Sequence, residues 1–254
     1  MKKFFSLLLV LAVIFGLYFL YENGKCEGIS GVGGCTRDTL GSGHTGNSNY
    51  KTEVFTVKGV KFKMIKVDGG SFEMGEGAEA RQVVVSTFCI GETEVTQELW
   101  TAVMGSNPSN KWYRSPQYPV EKITWHDCKE FISKLNQLTG RRFRLPTEAE
   151  WEFAARGGKK SRGYKYSGSN NIDDVAWYQF NSQDYKRNLY HHDVATKVPN
   201  ELDIYDMSGN VWEWCEDHRV GHGGCYASSA EKCCVSYHDG PADAPCQIGL
   251  RLAL

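Results

Sequence analysis

Residues 205–254 have two regular ends around an irregular middle. The first end is residues 206–215 and the second is residues 248–252. Both ends are rich in aromatic, aliphatic and turn-forming residues, a composition typical of a rigid scaffold. The middle, residues 221–247, mixes Ala, Ser, Cys, Tyr, His, Asp, Gly and Pro without a helical or strand period. A structureless run of this length inside a compact domain is usually functional or disordered. We therefore expect a binding site here, carried by the two regular ends.

The N-terminus carries an export signal. Lys2 and Lys3 precede an apolar run over residues 4–21, and a short basic region before an apolar segment is typical of exported proteins. The run is just long enough to span a bilayer. Cys26 follows where a bacterial lipoprotein carries its lipidated cysteine, although residues 23–25 match that pattern poorly. Lipidated Cys26 and an uncleaved helical anchor both stay open, and both predict a protein of the cell surface or outer membrane that is attached to a membrane.

Composition predicts three parts. Residues 1–26 are the export signal and anchor, the Gly-rich residues 27–51 are a flexible linker, and residues 52–254 form one folded domain. The net charge is −1 with both signs interspersed, so no nucleic-acid partner is expected. The nine cysteines are an odd number without a regular framework, so no disulfide is assigned.

Alternating apolar residues predict short strands in the first part of the domain. The alternation runs over residues 55–64, and residues 67–72 predict a strand, a tight turn and a second strand. Further strands are expected within residues 83–90.

Capping signals predict the helices. Thr96 precedes a helix that ends at Met104. Capping boxes at Thr124-x-x-Asp127 and Thr147-x-x-Glu150 begin two more, and glycines 140 and 157 end them. The inward faces of the first two helices are predicted to hold Leu99, Trp100, Val103, Cys128, Phe131, Ile132, Leu135 and Leu138. With a loop-rich stretch over residues 158–200, the expected fold class is α+β, with two or three helices and short antiparallel strands.

Four motifs occur in order over residues 69–75, 92–96, 144–152 and 209–214. Together they resemble the formylglycine-generating-enzyme (sulfatase-modifying factor) family over about residues 64–254. The resemblance implies a loop-rich variant of the C-type lectin fold. The family contains enzymes and non-enzymes, so the fold leaves the function open.

The resemblance implies a non-catalytic member, with no catalytic residues and no required cofactor. Enzymes of the family use two cysteines, and the matching positions here are Ser228 and Cys233. Serine is a poor soft-metal ligand and forms no disulfide. The alternative is a formylglycine-generating-type oxidase that acts on protein Cys, with Cys225 or Cys234 as the substitute thiol. His191 and His192 are interpreted as exposed polar loop residues rather than a metal-ligand pair.

A second resemblance covers the C-terminus. Residues 223–224, Ala230, Cys233, residues 235–236 and the ending 248–253 are similar to the variable proteins of diversity-generating retroelements. In those systems template adenines are miscopied, so that AAC codons become NNC codons. The region about 219–254 is then the variable region. NNC codons encode Tyr, Cys, His, Asp, Gly, Ala, Ser and Pro, among others, and these are the permitted types. The residues of the permitted types in the irregular segment are Gly221, His222, Cys225, Tyr226, Ala227, Ser228, Cys234, Tyr237, His238, Asp239, Gly240, Ala242, Asp243, Ala244, Pro245 and Cys246.

NNC codons cannot encode three residues of the same stretch, Glu231, Lys232 and Gln247. These three positions are therefore expected to be fixed, that is, not to vary. The resemblance implies that the varied side chains form one surface patch that binds a protein or another cell-surface ligand, with adaptable contacts from its aromatic residues. Scrambling them should change the ligand and leave the melting temperature unchanged. The other interpretations are an ordinary Gly-rich loop and a purely structural envelope protein.

The first resemblance also implies a structural calcium site. Its matching positions are Asp206, Gly209, Val211 and Glu213, which offer the oxygen donors that Ca²⁺ prefers. The alternative is that Glu213 caps or pairs inside a buried turn.

Overall fold

The computed structural model describes residues 52–217, 220–239 and 247–254. The expected anchor, Cys26 and the linker lie outside these ranges, as do six of the predicted variable residues: Gly240, Ala242, Asp243, Ala244, Pro245 and Cys246. Within the described ranges, no helix has the length and apolarity needed to cross a membrane.

The first part of the domain contains two antiparallel sheets. Strands β1 (Thr52–Val57), β2 (Val60–Val67) and β5 (Phe88–Gly91) pair in the order β1-β2-β5, and β3 (Gly70–Met74) pairs with β4 (Arg81–Val85). The strands expected over residues 55–64 and 83–90 are confirmed. The turn expected over residues 67–72 joins two strands that belong to different sheets, because β2 pairs with β1 and β5 while β3 pairs only with β4.

The expected helices form, and one short helix is added. They are α1 (Gln97–Met104), α2 (Trp125–Thr139), α3 (Glu148–Ala155) and the short α4 (Ile172–Val175). Thr96 caps α1 through the backbone N–H of Leu99, and both predicted capping boxes are present. The capping predictions are therefore confirmed.

One predicted core residue of α2 lies outside the core. Leu138 is 49% exposed, whereas Cys128, Phe131 and Leu135 are fully buried. The prediction for Leu138 is wrong because its last helical turn extends past the packed face, where its neighbour Gln137 is exposed as well.

The C-terminal sheet brings the two regular ends together. Strands β6 (Trp212–Trp214), β7 (Gly221–His222), β8 (His238–Asp239) and β9 (Ile248–Leu250) pair in the order β8-β7-β6-β9. The predicted α+β fold with short antiparallel strands is confirmed, and the parallel β6–β9 pair is an addition to it. Parallel neighbours need a long connection, and the irregular segment between β6 and β9 provides it.

Buried aromatic rings link the helices and the C-terminal sheet within a core that is otherwise largely aliphatic. Trp100 of α1 stacks on Phe131 of α2, with ring centroids 4.9 Å apart. Trp214 of β6 joins the same cluster, and its indole N–H donates to the carbonyl of Ile123 at 3.0 Å. The C-terminal sheet therefore rests on the helices through buried rings, so that its backbone is a stable platform.

Candidate functional site

A buried ion pair joins the two ends of the irregular segment. Glu213 of β6 and Arg251, which follows β9, have no appreciable exposure. The Arg251 Nη2 group donates to Glu213 Oε1 at 2.7 Å, and Nε donates to both carboxylate oxygens. Trp151 Nε1 donates to Glu213 Oε2 at 2.7 Å. The carboxylate is thus held by charge-assisted hydrogen bonds, which are among the strongest in proteins.

The turn before β6 fixes the start of the irregular segment. Gly209 has a φ of +82°, and a Cβ there would collide with the carbonyl of Trp177. The next residue, Asn210, is fully buried. Its N–H donates to the Trp177 carbonyl at 2.8 Å, and its own carbonyl accepts from Tyr226 N–H at 2.8 Å. A backbone hydrogen bond therefore helps to place Tyr226 over this turn.

Two glycines with left-handed backbone conformations follow directly after β7. Gly223 and Gly224 have φ values of +89° and +74°, which favour glycine. The Gly223 carbonyl accepts from Gly209 N–H at 2.7 Å. At Gly224, a Cβ would lie 2.7 Å from the Cys233 sulfur, so the backbone passes this thiol at a distance that only glycine allows.

The predicted variable residues divide by burial. The described ones that are buried are Gly221, His222, Cys225, Ser228 and Cys234. Those that reach solvent are Tyr226, Ala227, Tyr237, His238 and Asp239, the last two being exposed. The expectation that all variable side chains form one surface patch is therefore wrong for the buried five. β7 and the turn after it run beneath the surface, and Cys234 packs in a separate buried cluster.

His222 is the most enclosed of these side chains. Its ring lies 4.9 Å from the Trp151 ring and 5.7 Å from that of His238, and neither ring nitrogen has a hydrogen-bond partner among the described residues. Burial lowers the pKa of His222 to about 3, and the neighbouring His238 contributes to the same lowering. The imidazole is therefore neutral at pH 7.

Cys225 and Ser228 form a local buried network. The Ser228 hydroxyl oxygen accepts from Cys225 N–H at 2.9 Å and lies 3.3 Å from the Cys225 sulfur. The Cys225 thiol donates to Gln247 Oε1 at 2.8 Å. Gln247, expected to be fixed, thus ties the start of β9 to the irregular segment. Burial raises the pKa of the Cys225 thiol and that of Cys233, so both are protonated at neutral pH.

A cluster of rings beside Tyr226 was missed by the sequence reasoning. His191 is buried rather than exposed, and its ring lies 4.9 Å from Tyr118 and 5.8 Å from Tyr226. The half-buried His192 stacks on Trp177 at 3.7 Å. The surface interpretation is wrong because His191 is buried and the His192 ring is partly covered by Trp177. Burial in turn lowers the pKa of each histidine to about 4. A loop dense in Tyr, Trp and His was the only sequence signal for this cluster.

The described domain matches a known family. Residues 52–254 match the sulfatase-modifying factor enzyme 1-like domain. The chain belongs to the sulfatase-modifying factor family. The solved structure of Treponema denticola variable protein 1 superposes with a TM-score of 0.70 and 30% sequence identity, and the match covers 80% of this chain and 98% of that one.

Two further relatives add to the comparison. Chaperone protein LppX of Paenibacillus barcinonensis is 34% identical over 232 residues, which are 68% of this chain and 82% of LppX. Inactive C-alpha-formylglycine-generating enzyme 2 of Bos taurus is 32% identical over 150 residues, 54% of this chain and 47% of that protein. The family therefore includes a member described as inactive and a variable protein, which is compatible with a non-catalytic chain.

The thiol pair of the family's enzymes does not fit the residues present. Ser228 stands at the first position, where its hydroxyl is engaged by Cys225. Cys225, Cys233 and Cys234 are free thiols, and burial raises the pKa of each. Because serine is a poor soft-metal ligand and the neutral thiol is the less reactive form, these residues match the two-cysteine site poorly.

The calcium positions fit the alternative interpretation better. Both oxygens of Glu213 are engaged by Arg251 and Trp151, so this carboxylate pairs inside the fold. Asp206 Oδ2 accepts from Ala195 N–H at 2.7 Å, while Oδ1 has no partner among the described residues. Residues 52–217, 220–239 and 247–254 contain no group of three His, Cys, Asp or Glu side chains suited to a metal ion. Calcium at Asp206, Gly209, Val211 and Glu213 stays a prediction.

Proposed function

We propose that the chain is a surface-displayed ligand-binding protein whose variable region, about residues 219–254, is diversified by a retroelement. The ligand is a protein or another cell-surface molecule, and the N-terminal segment attaches the chain to the membrane. The proposal rests on one observation: solvent-reaching side chains of the permitted types lie on a segment whose two ends are joined by the buried pair of Glu213 and Arg251.

Part of the backbone of this segment is held by backbone hydrogen bonds that do not involve the variable side chains. Tyr226 is placed by a backbone hydrogen bond to Asn210, and β7 pairs with β6 through backbone groups. Replacing the exposed side chains of His238 and Asp239 therefore removes few scaffold contacts, whereas Tyr226 and Tyr237 also pack against the core. Loops on a rigid scaffold are where recognition residues concentrate, and this arrangement supports sequence change without loss of the fold.

The solvent-reaching side chains offer mixed chemistry. Tyr226 and Tyr237 supply aromatic area with few rotatable bonds, which suits recognition surfaces. Asp239 lies 3.2 Å from Lys232 Nζ and 3.4 Å from the Tyr237 hydroxyl, so Lys232, expected to be fixed, contacts the varied residues. The similarity to Treponema denticola variable protein 1 supports the same interpretation.

Sequencing the gene and its neighbourhood tests diversification. We expect a near-copy of the 3′ segment that carries AAC at the codons of the permitted residues, together with a reverse transcriptase gene. Isolates should then differ at Tyr226, Tyr237, His238 and Asp239 but agree at Glu231 and Gln247. A single gene copy with the same segment in every isolate would overturn the proposal and favour a structural envelope protein.

Surface display has its own test. Whole cells treated with protease should lose the domain without losing a cytoplasmic marker. Metabolic labelling with palmitate distinguishes the two anchors: label that Cys26→Ser abolishes indicates lipidation, and absence of label from the parent chain indicates the helical anchor. Protection of the domain in intact cells would contradict surface display.

A further inference from the structure

Four aromatic rings beside the variable segment are in consecutive contact. The Tyr113 ring lies nearly parallel to that of Tyr190, with centroids 5.4 Å apart, and the Tyr190 ring lies 4.5 Å from that of His192. His192 in turn stacks on Trp177 at 3.7 Å. We call these four residues the ring stack. Aromatic pairs at such distances attract one another, so the stack joins separate segments of the chain, and its residues all lie outside the predicted variable region.

Hydrogen bonds fasten the ring stack to the variable segment. The backbone N–H of His192 donates to Asn210 Oδ1 at 3.0 Å, and the N–H of Tyr226 donates to the carbonyl of the same Asn210 at 2.8 Å. Gln179 N–H donates to the Ser228 carbonyl at 3.2 Å. The loops of the ring stack and the variable segment are therefore neighbours in the fold.

Three exposed aromatic side chains lie on the loops of the ring stack. Trp112 directly precedes Tyr113 in the chain and is 76% exposed, while Phe180 and Tyr185 are 73% and 90% exposed. They are the only exposed Phe, Trp and Tyr side chains among the described residues. Large apolar side chains in solvent are typical of interaction surfaces, where Trp and Tyr often contribute much of the binding energy.

Local contacts hold the backbone of Tyr185 and the ring of Phe180. Tyr185 lies in a turn that Asp184 closes, because the Asp184 carboxylate accepts from the backbone N–H of Asn188 at 2.8 Å and from its side-chain amide at 2.9 Å. The Phe180 ring packs edge-on against buried Tyr178, with centroids 5.7 Å apart. Groups held in this way lose little freedom on binding, which favours affinity.

Positive charge accompanies two of the exposed rings. Lys111 Nζ lies 4.9 Å from the centroid of the Trp112 ring, and Lys186 Nζ lies 5.3 Å from that of Tyr185. Neither lysine forms an ion pair with a described residue. These loops therefore present aromatic area together with ammonium groups.

The acidic residues of the same loops are engaged locally. Asp184 accepts the two hydrogen bonds from Asn188, and Asp193 Oδ1 accepts from the Ser115 hydroxyl at 3.1 Å. The groups left open to a partner are the rings and the lysines. Their complement is an apolar surface that carries carboxylates.

We propose that Trp112, Phe180 and Tyr185 are fixed anchors that extend the variable surface and bind an acidic, partly apolar polypeptide. The inference rests on the proposed function, because it assigns the unvarying part of the same recognition surface. The rings supply contact area, the lysines pair with carboxylates of the partner, and the variable side chains select among partners. NNC codons cannot encode Trp, so Trp112 supplies an indole that no diversified position can supply.

Selection from a phage-displayed library of random linear peptides on the purified full-length chain tests the proposal. We expect the enriched peptides to carry Asp or Glu beside apolar residues. A synthetic copy of the most enriched peptide is then titrated by fluorescence anisotropy. Phe180→Ser and Trp112→Ser should each weaken its binding by about tenfold or more, as the loss of an anchor ring does.

Two matched controls separate the anchors from general surface effects. Val84→Ser removes a side chain that is 82% exposed on the separate β3–β4 sheet, and it should bind the peptide as the parent does. Lys186→Glu should weaken binding, whereas Lys61→Glu, at an exposed position of β2, should not. All four variants change exposed side chains and should melt as the parent does, which shows that they are folded.

A chain with Ala at Tyr226, Tyr237, His238 and Asp239 separates this inference from the proposed function. Selection on it should enrich different peptides that still lose binding in a Phe180→Ser background. Unchanged peptides would count against the variable surface and leave the anchors in place. Changed peptides that bind equally with and without the Phe180 ring would overturn the anchors alone. Absence of enrichment, enrichment of neutral or basic peptides, or displacement of the peptide by polygalacturonate, which would indicate a polysaccharide surface, would also overturn the proposal.

Discussion

Arg251 and Glu213 form a fully buried ion pair, with the shortest contact at 2.7 Å. The two residues are 38 positions apart, and the whole irregular segment lies between them. Parallel pairing of Glu213 with Gly249 holds the same two strands in register. The pair therefore closes the variable segment into a loop whose ends are fixed by the scaffold.

Replacing Arg251 with Met should destabilise the domain strongly. The change leaves the Glu213 carboxylate buried without a cation, which costs about 3–5 kcal/mol in comparable cases. The measurement is chemical unfolding at pH 7. Arg141→Met is the control, because the Arg141–Glu53 pair is largely exposed and should contribute at most about 1 kcal/mol. Similar losses in both variants would contradict a structural role for the buried pair.

Substitutions in the variable region should lower stability more at buried positions than at exposed ones. His238→Ala and Asp239→Ala alter exposed side chains and should change stability by about 0.5 kcal/mol or less. Cys225→Tyr forces a large ring into a site that is 1% exposed and should cost about 1–3 kcal/mol or more. Thermal unfolding of the three variants checks this. If all three melt like the parent, the expected insensitivity to scrambling extends to the buried positions.

Gly224→Ala should destabilise more than Gly59→Ala. Both glycines have positive φ, so both variants carry the backbone cost of about 1 kcal/mol. Only Gly224 is also crowded, because the new methyl carbon would lie within 2.8 Å of Cys233 Sγ and of the Lys232 carbonyl oxygen. At Gly59 nothing lies within 4 Å. Equal losses of unfolding free energy would show that the loop shifts to make room.

His222 should make the domain sensitive to acid. Burial lowers its pKa to about 3, against about 6.5 in an unfolded chain. The unfolded state therefore binds the proton first, and stability falls as pH drops from 6.5 towards 3. His222→Gln should lose less stability than the parent between pH 7 and 4.5, by roughly 2–3 kcal/mol.

Asp206, which is buried near Arg251, acts in the opposite direction. Burial raises the pKa of Asp206 to about 6, so its folded form favours the proton, and its contribution to stability is lost as pH rises through 6. This effect is common to the parent and to His222→Gln, and it cancels in their difference. Parallel stability curves for the two chains would contradict the assigned environment of His222.

The buried thiols should react slowly in the folded chain. Burial raises the pKa of Cys225 and Cys233, and the thiolate is the reactive form. A thiol reagent at pH 8 should label them in denaturant but not in native buffer, while the partly exposed Cys89 reacts first. Mass mapping of the labelled sites checks the order. Rapid native labelling of Cys225 would favour a reactive thiol and reopen the oxidase alternative.

The caps of α1, α2 and α3 could be predicted from the sequence because their partners are local. Thr124 and Asp127 are three residues apart, as are Thr147 and Glu150, so each capping box depends on little beyond its own turn. The four family motifs likewise identified the fold, which the comparisons confirm. Residue types and short spacings were sufficient for these features.

The depth of the variable residues was decided by the tertiary structure. Nothing local distinguishes His222, which is fully buried, from His238, which is exposed; the two differ because Trp151 of α3 packs on the first. The parallel β6–β9 pairing and the Glu213–Arg251 pair also join residues that are distant in sequence. Sequence by itself determined the local turns, the caps and the types of side chain available for binding. Only long-range packing determined which of those side chains face solvent, because burial depends on the elements that approach from elsewhere in the chain.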